Sequence, residues 1–244
     1  MIIREIQSKS ILSKSQVYPY VINPYTGCQH NCSYCYARFM KRFTGHKEPW
    51  GEFLDAKVNA PDFLRSEIIH KKPDRVWVSG VCDPYQPLEG KYQLTRRCLQ
   101  ILAEHGWPVT IQTRSPLVTR DLDILVNMKD LEVGFSVTTA DDSIRKLFEP
   151  NAPPIKGRIN ALAELHQAGL RTFAMIAPIL PNAEPLAELL ADKVDHVLTD
   201  RMNYHHADWV YRKYGLEAQN TDEYFSGVEH ILSTGFAKAG IPYR

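Results

Sequence analysis

From about residue 75 onward, short apolar runs alternate with stretches whose apolar residues recur every three or four positions. The run Arg75-Val-Trp-Val-Ser79 reads as a buried strand. Leu94 to His105 reads as a helix with Leu99, Ile101 and Leu102 on its apolar side and Gly106 as its stop. Pro108 to Thr113 is the next strand. Arg120 to Met128 reads as a helix with aspartates in its first turn, where the helix dipole favours them. Leu131 to Thr138 is a strand rich in Val and Phe. Ile155 to Gly169 is a helix whose Ala161, Leu162, Leu165 and Ala168 share one face. Thr172 to Ile176 reads as a strand, Glu184 to Ala191 as a helix and Val194 to Leu198 as a strand. A first strand near Val17 to Ile22 brings the strand count to six.

Strand–helix units of this length imply parallel strands joined by right-handed crossovers. Periodicity leaves two arrangements open, a partial barrel and an open doubly wound sheet. In both, functional residues gather at the C-terminal ends of the strands. The places to look are therefore just after Ile22, Val78, Thr113, Val137, Ile176 and Leu198. From Asn203 the chain looks mainly helical and carries an aromatic-rich patch of Tyr204, His205, His206, Trp209, Tyr211 and Tyr214. That patch suits a helix packed over the sheet. It also suits a base-stacking surface. There is no internal repeat and no low-complexity linker, and 244 residues suffice for one sizeable core.

Composition changes this picture little: 44% hydrophobic and 23% charged residues are ordinary for a globular protein. No run approaches the roughly 18 apolar residues of a membrane span. Met1 to Lys14 is charged and has no apolar h-region, so no secretory signal is expected, and the expected location is the cytoplasm. The net charge of +1 is unevenly spread. Residues 1–120 hold 17 Lys and Arg against 10 Asp and Glu, whereas residues 121–244 hold 12 against 18. A basic N-terminal half is compatible with an anionic ligand or a phosphate backbone, and equally with an uneven solvated surface.

The five cysteines are an odd number, which argues against a closed disulfide framework. Three of them lie in Gly27-Cys28-Gln-His-Asn-Cys32-Ser-Tyr-Cys35-Tyr36, spaced C-x3-C-x2-C on the loop after the first strand. Gly27 frees the backbone to turn into that loop. Three chemistries fit the spacing. A zinc site would need a fourth ligand, for which His30 and His46 are candidates. A redox dithiol would use Cys32 and Cys35 and leave Cys28 unexplained. A [4Fe–4S] cluster on three cysteines would leave one iron open to a chelating ligand.

Cys28, Cys32 and Cys35, with the aromatic Tyr34 before the third cysteine, match the signature of the radical S-adenosylmethionine (SAM) superfamily. Within it the chain resembles the spore photoproduct lyase-like group. The resemblance is carried by Gly27–Ala37, by Ser79-Gly-Val-Cys-Asp-Pro-Tyr-Gln-Pro-Leu-Glu89, by Thr113-Arg-Ser115 with Arg120-Asp121, and by Glu149-Pro and Ala152-Pro. It covers roughly residues 17–200. It implies an α/β fold, a partial (β/α)6 barrel over residues 1–200 with the cluster loop at 24–40, and a mainly helical extension over 201–244. It also implies a [4Fe–4S] cluster on the three cysteines, bound SAM, and an electron donor such as a flavodoxin or ferredoxin.

The same resemblance assigns roles. Tyr34 lies beside the adenine, and Tyr36 joins the cofactor-binding residues. Arg114 stands where the family usually has a lysine paired with the SAM carboxylate. Ser136 and the backbone of Ala177 contact SAM. The family's Gly-Gly-Glu run is not evident, and Asp83 is the neighbouring candidate for the SAM amino group. Cys82 is a candidate hydrogen-atom donor; the lyase that names the group has its donor cysteine two residues earlier, where this chain has Gly80. Cys98 reads as structural. The expected reaction is hydrogen abstraction from a nucleic-acid lesion, with DNA as partner. The alternatives are modification of a peptide, protein or small molecule, and, from another class, a zinc-binding structural module.

Overall fold

The computed structural model describes residues 1–244. Ten strands are present: β1 (Ile2–Ile6), β2 (Ser13–Lys14), β3 (Tyr20–Ile22), β4 (Tyr25–Thr26), β5 (Phe53–Lys57), β6 (Val76–Val78), β7 (Val109–Thr113), β8 (Leu131–Ser136), β9 (Arg171–Ile176) and β10 (His196–Thr199). The six expected from the pattern correspond to β3, β6, β7, β8, β9 and β10. The chain divides into two compact units, residues 1–30 with 37–133, and residues 31–36 with 134–244.

In the first unit the strand order is β2-β3-β6-β7-β8, where β8 contributes its opening residues. β3 and β6 run parallel, Tyr20 against Val76 and Ile22 against Val78, and β6 and β7 are parallel too. β2 closes the edge as an antiparallel pair with β3. The apolar face expected of the helix Leu94–Glu104 is buried through Leu94, Cys98, Leu99, Ile101 and Leu102. The structural reading of Cys98 agrees with its complete burial.

A second sheet in this unit has the order β1-β5-β4, with β5 parallel to β1 and antiparallel to β4. It was not anticipated. β4 has only two residues, and β5 (Phe-Leu-Asp-Ala-Lys) is buried at four successive positions, so it shows no alternation to read. The helix expected over Arg120–Met128 is also shorter than its pattern. A 3-10 turn, Pro116–Asp121, precedes a four-residue helix, Leu122–Leu125. Ser115 caps that turn by accepting from the Leu117 N–H, and Pro116 fixes its first residue.

The second unit contains the end of β8, then β9 and β10, which are parallel with His196 against Phe173. The helix Ile155–Gln167 buries Ile155, Arg158, Ala161, Leu162 and Leu165. The C-terminal region is helical over Asp208–Tyr214 and Asp222–Lys238. Its last residues leave the helix and lie along β10, with Val197 N–H donating to Pro242 O at 2.8 Å and Arg244 N–H to Val197 O at 3.0 Å. The aromatic patch is divided by its helix. Tyr211 is buried with its ring 4.9 Å from Phe148, while Tyr204, Trp209 and Tyr214 are exposed. No helix is long and apolar enough to cross a membrane.

Candidate active site

The first unit carries the entry to the cysteine loop. Tyr25 on β4 is fully buried, and its hydroxyl donates to Glu89. Glu89 also accepts from Thr95 N–H at 3.0 Å, Arg96 N–H at 3.1 Å and the Arg120 guanidinium at 3.1 Å. A buried carboxylate is tolerated here because it is surrounded by donors. Gly27 follows with φ +94°, and a Cβ there would meet the Phe53 carbonyl oxygen at 2.4 Å. The glycine expected to permit the turn is thus required twice, by its backbone angle and by the approach of β5.

Residues 27–29 are then fastened to the segment after β6. Gln29 N–H donates to Gln86 Oε1 at 2.9 Å, Leu88 N–H donates to Gln29 Oε1 at 2.6 Å, and Gln86 Nε2 donates to Gly27 O at 3.4 Å. Cys28 is 8% exposed. His30, 1% exposed, brings Nε2 to 3.2 Å from Asp83 Oδ2. Asp83 also accepts from the Thr113 hydroxyl at 2.6 Å, Arg114 N–H at 2.8 Å and Tyr85 N–H at 2.9 Å. Both of its oxygens are therefore engaged within this unit. Arg114 itself is partly buried at the end of β7.

Burial alone would raise the Asp83 carboxyl, but the His30 ring, the Thr113 hydroxyl and the Arg114 amide outweigh it and hold the group at about 2. The gap from the usual 3.8 is worth about 2 kcal/mol of folding stability at neutral pH. A depressed carboxylate stabilises above its unfolded pKa and loses that contribution as pH falls through the folded one. The stability difference between wild type and Asp83→Asn is therefore expected to be full at pH 6 and to shrink between about pH 4 and pH 2. Urea unfolding of both proteins across that range checks this; a difference independent of pH would refute it.

Cys82 lies beside Asp83 with some surface exposure, but its Sγ points inward, 3.5 Å from Tyr25 O. Burial of the sulfur pushes the thiol up to about 12, so at neutral pH it is an S–H group and not a thiolate.

The second unit carries the remainder of the loop. Cys32 and Tyr34, 6% and 7% exposed, pack with Ile144, Phe148, Leu180, Val210 and Tyr211. Ser33 N–H donates to Phe148 O at 2.8 Å, and Cys35 N–H donates to Cys32 O at 3.2 Å, closing a turn. The Tyr34 hydroxyl donates to Glu149, which also accepts from Thr138 Oγ1 at 3.0 Å and from the fully buried Arg158. The same guanidinium donates to Ser136 O at 3.0 Å and Pro153 O at 2.9 Å. One buried ion pair thus joins Tyr34 to the end of β8. Ser136 is buried there, Ala177 follows β9, and Tyr36 is 43% exposed.

Sequence reasoning did not single out Gln29, Gln86 or Arg158. For Arg158 a signal existed: it shares the helical face of Ala161, Leu162 and Leu165, where an arginine must find a buried partner. Its partner, Glu149, lay inside a motif already noted but without a role. The glutamines gave no signal, since their pairing depends on how the cysteine loop and the segment after β6 meet in space.

No three His, Cys, Asp or Glu side chains are gathered into a ready metal cage. None of the five cysteines is in a disulfide. The donor set nevertheless suits a soft iron–sulfur centre, with three thiols on eight residues and two of them buried. Of the two candidate fourth ligands for zinc, His46 has both ring nitrogens engaged, with Glu48 at 3.1 Å and Asp55 at 2.9 Å, whereas His30 has Nε2 3.2 Å from Asp83 and a buried Nδ1 without a hydrogen-bond partner.

Comparison with known proteins agrees with this donor set. The family profile described as "Radical SAM superfamily" matches residues 22–192. An uncharacterised protein of Methanocaldococcus jannaschii is 37% identical over 163 residues, which cover 67% of this chain and 61% of that protein. A radical SAM Nα-GlyT isomerase of Pseudomonas phage M6 is 24% identical over 161 residues, 65% of this chain and 33% of its own length. Among solved structures, a spore photoproduct lyase complexed with dinucleoside spore photoproduct superposes with a TM-score of 0.70 at 16% identity, covering 99% of this chain and 81% of that one. The last is a likeness of fold.

Proposed function

The chain belongs to the radical SAM superfamily, and on that premise we propose that it cleaves SAM reductively and takes a hydrogen atom from a nucleic-acid substrate. The observation that carries the reading is the C-x3-C-x2-C loop, fastened at Gln29 and His30 in one unit and at Tyr34 in the other. Bound through Cys28, Cys32 and Cys35, a [4Fe–4S] cluster would supply the electron that breaks the sulfur–C5′ bond of SAM and an open iron for its amino and carboxylate groups.

The chain's own residues bind, orient and shield. Asp83 and Glu149 hold the two parts of the loop. Family resemblance gives Arg114 the SAM carboxylate, a task that a guanidinium can perform bidentately. By the same resemblance Tyr34, Tyr36, Ser136 and Ala177 line the SAM site. The electron would come from a flavodoxin- or ferredoxin-type donor. A nucleic-acid substrate is supported by the likeness to a spore photoproduct lyase complexed with dinucleoside spore photoproduct.

The test is anaerobic reconstitution with iron and sulfide, then dithionite and SAM, with assay for 5′-deoxyadenosine. Brown protein that releases 5′-deoxyadenosine supports the reading; zinc-loaded protein that forms no cluster overturns it. Turnover with lesion-bearing oligonucleotides then separates a nucleic-acid substrate from a peptide or small molecule.

Cys82 is the proposed hydrogen-atom donor to the substrate radical by its place two residues after the position of the lyase group's donor cysteine; its Sγ, 3.5 Å from Tyr25 O, would have to turn toward the substrate to act. Cys82→Ala is expected to keep 5′-deoxyadenosine formation and to lose the repaired or rearranged product. Full product formation by this variant would reject the role.

A further inference from the structure

Between Glu5 and Glu48 the chain has no acidic residue, and six lysines and arginines lie in that interval. Four of them, Arg38, Lys41, Arg42 and Lys47, follow the third cysteine within twelve residues. The segment from Tyr36 to Phe43 is a 3-10 helix on which only Ala37 is buried. Side chains three apart are eclipsed on such a helix, so Arg38 and Lys41 form one row, and Phe39 and Arg42 the next. Phe39 and Phe43 are 44% and 65% exposed, and the Arg42 guanidinium lies 5.6 Å and 4.6 Å from their ring centres.

This patch flanks a cavity of about 580 Å³ lined by Arg38, Phe39, Lys41, Arg42, Gly45 and His46. Its rear wall is rigid, because His46 is buried, stacks on Phe53 at 4.1 Å and is held by Glu48 and Asp55. Those carboxylates are directed at His46. Lys41 Nζ is steadied by Lys47 O at 2.9 Å and keeps two further N–H donors. Phe39 and Phe43 leave much of their apolar surface in solvent. Cations alternating with aromatic faces, with no acid among them, are the complement of a polyanion whose bases can stack.

We propose that Ala37–Lys47 is a docking surface for single-stranded nucleic acid, with Arg38, Lys41 and Arg42 on phosphates and Phe39 and Phe43 against bases. This rests on the nucleic-acid reading above and specifies it. In the sequence this surface begins two residues beyond the third cysteine. The surface selects single-stranded or locally opened substrate, because stacking on side chains needs unstacked bases.

The experiment is anisotropy of a fluorescent oligothymidylate with the full chain, measured from low to high salt. Wild type should bind with log K falling linearly with log salt. Arg38→Gln/Lys41→Gln/Arg42→Gln should bind at least about 10-fold more weakly and lower the slope by about 2, since each single-strand phosphate contact contributes about 0.7. Phe39→Leu/Phe43→Leu should weaken binding about 10-fold or more with the slope unchanged. Lys9→Gln/Lys14→Gln/Lys72→Gln, an equal charge loss at exposed sites elsewhere, should change little. Thermal unfolding confirms that each variant is folded.

Equal affinity and slope in wild type and the arginine–lysine variant would overturn the proposal. So would binding of the patch to phosphatidylserine vesicles with none to oligothymidylate. The outcome is separable from the reaction itself. Protein that releases 5′-deoxyadenosine but ignores the patch variants loses the surface and keeps the chemistry, and the converse pattern keeps the surface alone.

Discussion

A Cys32→Ala protein is expected to fold, to stay colourless after anaerobic reconstitution, and to release no 5′-deoxyadenosine above background. Cys32 is 6% exposed and packs beside Tyr34, Phe148 and Tyr211. Deleting its sulfur opens a small gap there, which costs about 1 kcal/mol on the scale of single-group core deletions. The fold tolerates that loss. The proposed cluster does not, because two thiolates cannot hold three irons. Cys98→Ala is the matching control. Its thiol is fully buried in the helix Leu94–Glu104, and it should keep both colour and SAM cleavage. Iron and sulfide analysis with a 5′-deoxyadenosine assay on both variants decides the matter. A Cys32→Ala protein that still makes 5′-deoxyadenosine would end the radical SAM reading of this loop.

Arg158→Met should lower folding stability by about 3–5 kcal/mol, the usual cost of removing one partner from a buried ion pair. Both Arg158 and Glu149 are fully buried. Without the guanidinium, Glu149 keeps the hydroxyls of Tyr34 and Thr138 but carries an uncompensated charge in the core. Ser136 O and Pro153 O also lose their donor. Against the 5–15 kcal/mol that folded proteins usually hold in reserve, the loss is large. Replacing both partners, Arg158→Met with Glu149→Leu, removes the stranded charge and should recover part of it. Urea midpoints of the two variants make the comparison. An Arg158→Met protein within about 1 kcal/mol of wild type would mean that the pair is solvated and does not organise the loop.

The sequence by itself determined the features that are local. Strands β3, β6, β7, β8, β9 and β10 were legible because their apolar runs are bounded by turn residues, and a core buries such runs wherever they fall. The cysteine spacing was legible because it is a property of eight consecutive residues. Gly27 was legible because a sharp turn requires a residue free of Cβ. Tertiary structure decided what joins distant segments. Asp83 reads in the sequence as a lone carboxylate after a strand. In the fold it gathers His30, Thr113 and the Arg114 amide, and its low pKa follows from that convergence. Glu149 and Arg158 are nine residues apart, a spacing with no helical or strand meaning, and they meet because the chain turns between two helices at Ala152–Pro154. The sheet β1-β5-β4 left no pattern, since a two-residue strand has no period and β5 is buried on both faces. Periodicity records how one element meets the core. The partners that fix the charge, protonation and orientation of a site residue are chosen by packing, after the chain has closed on itself.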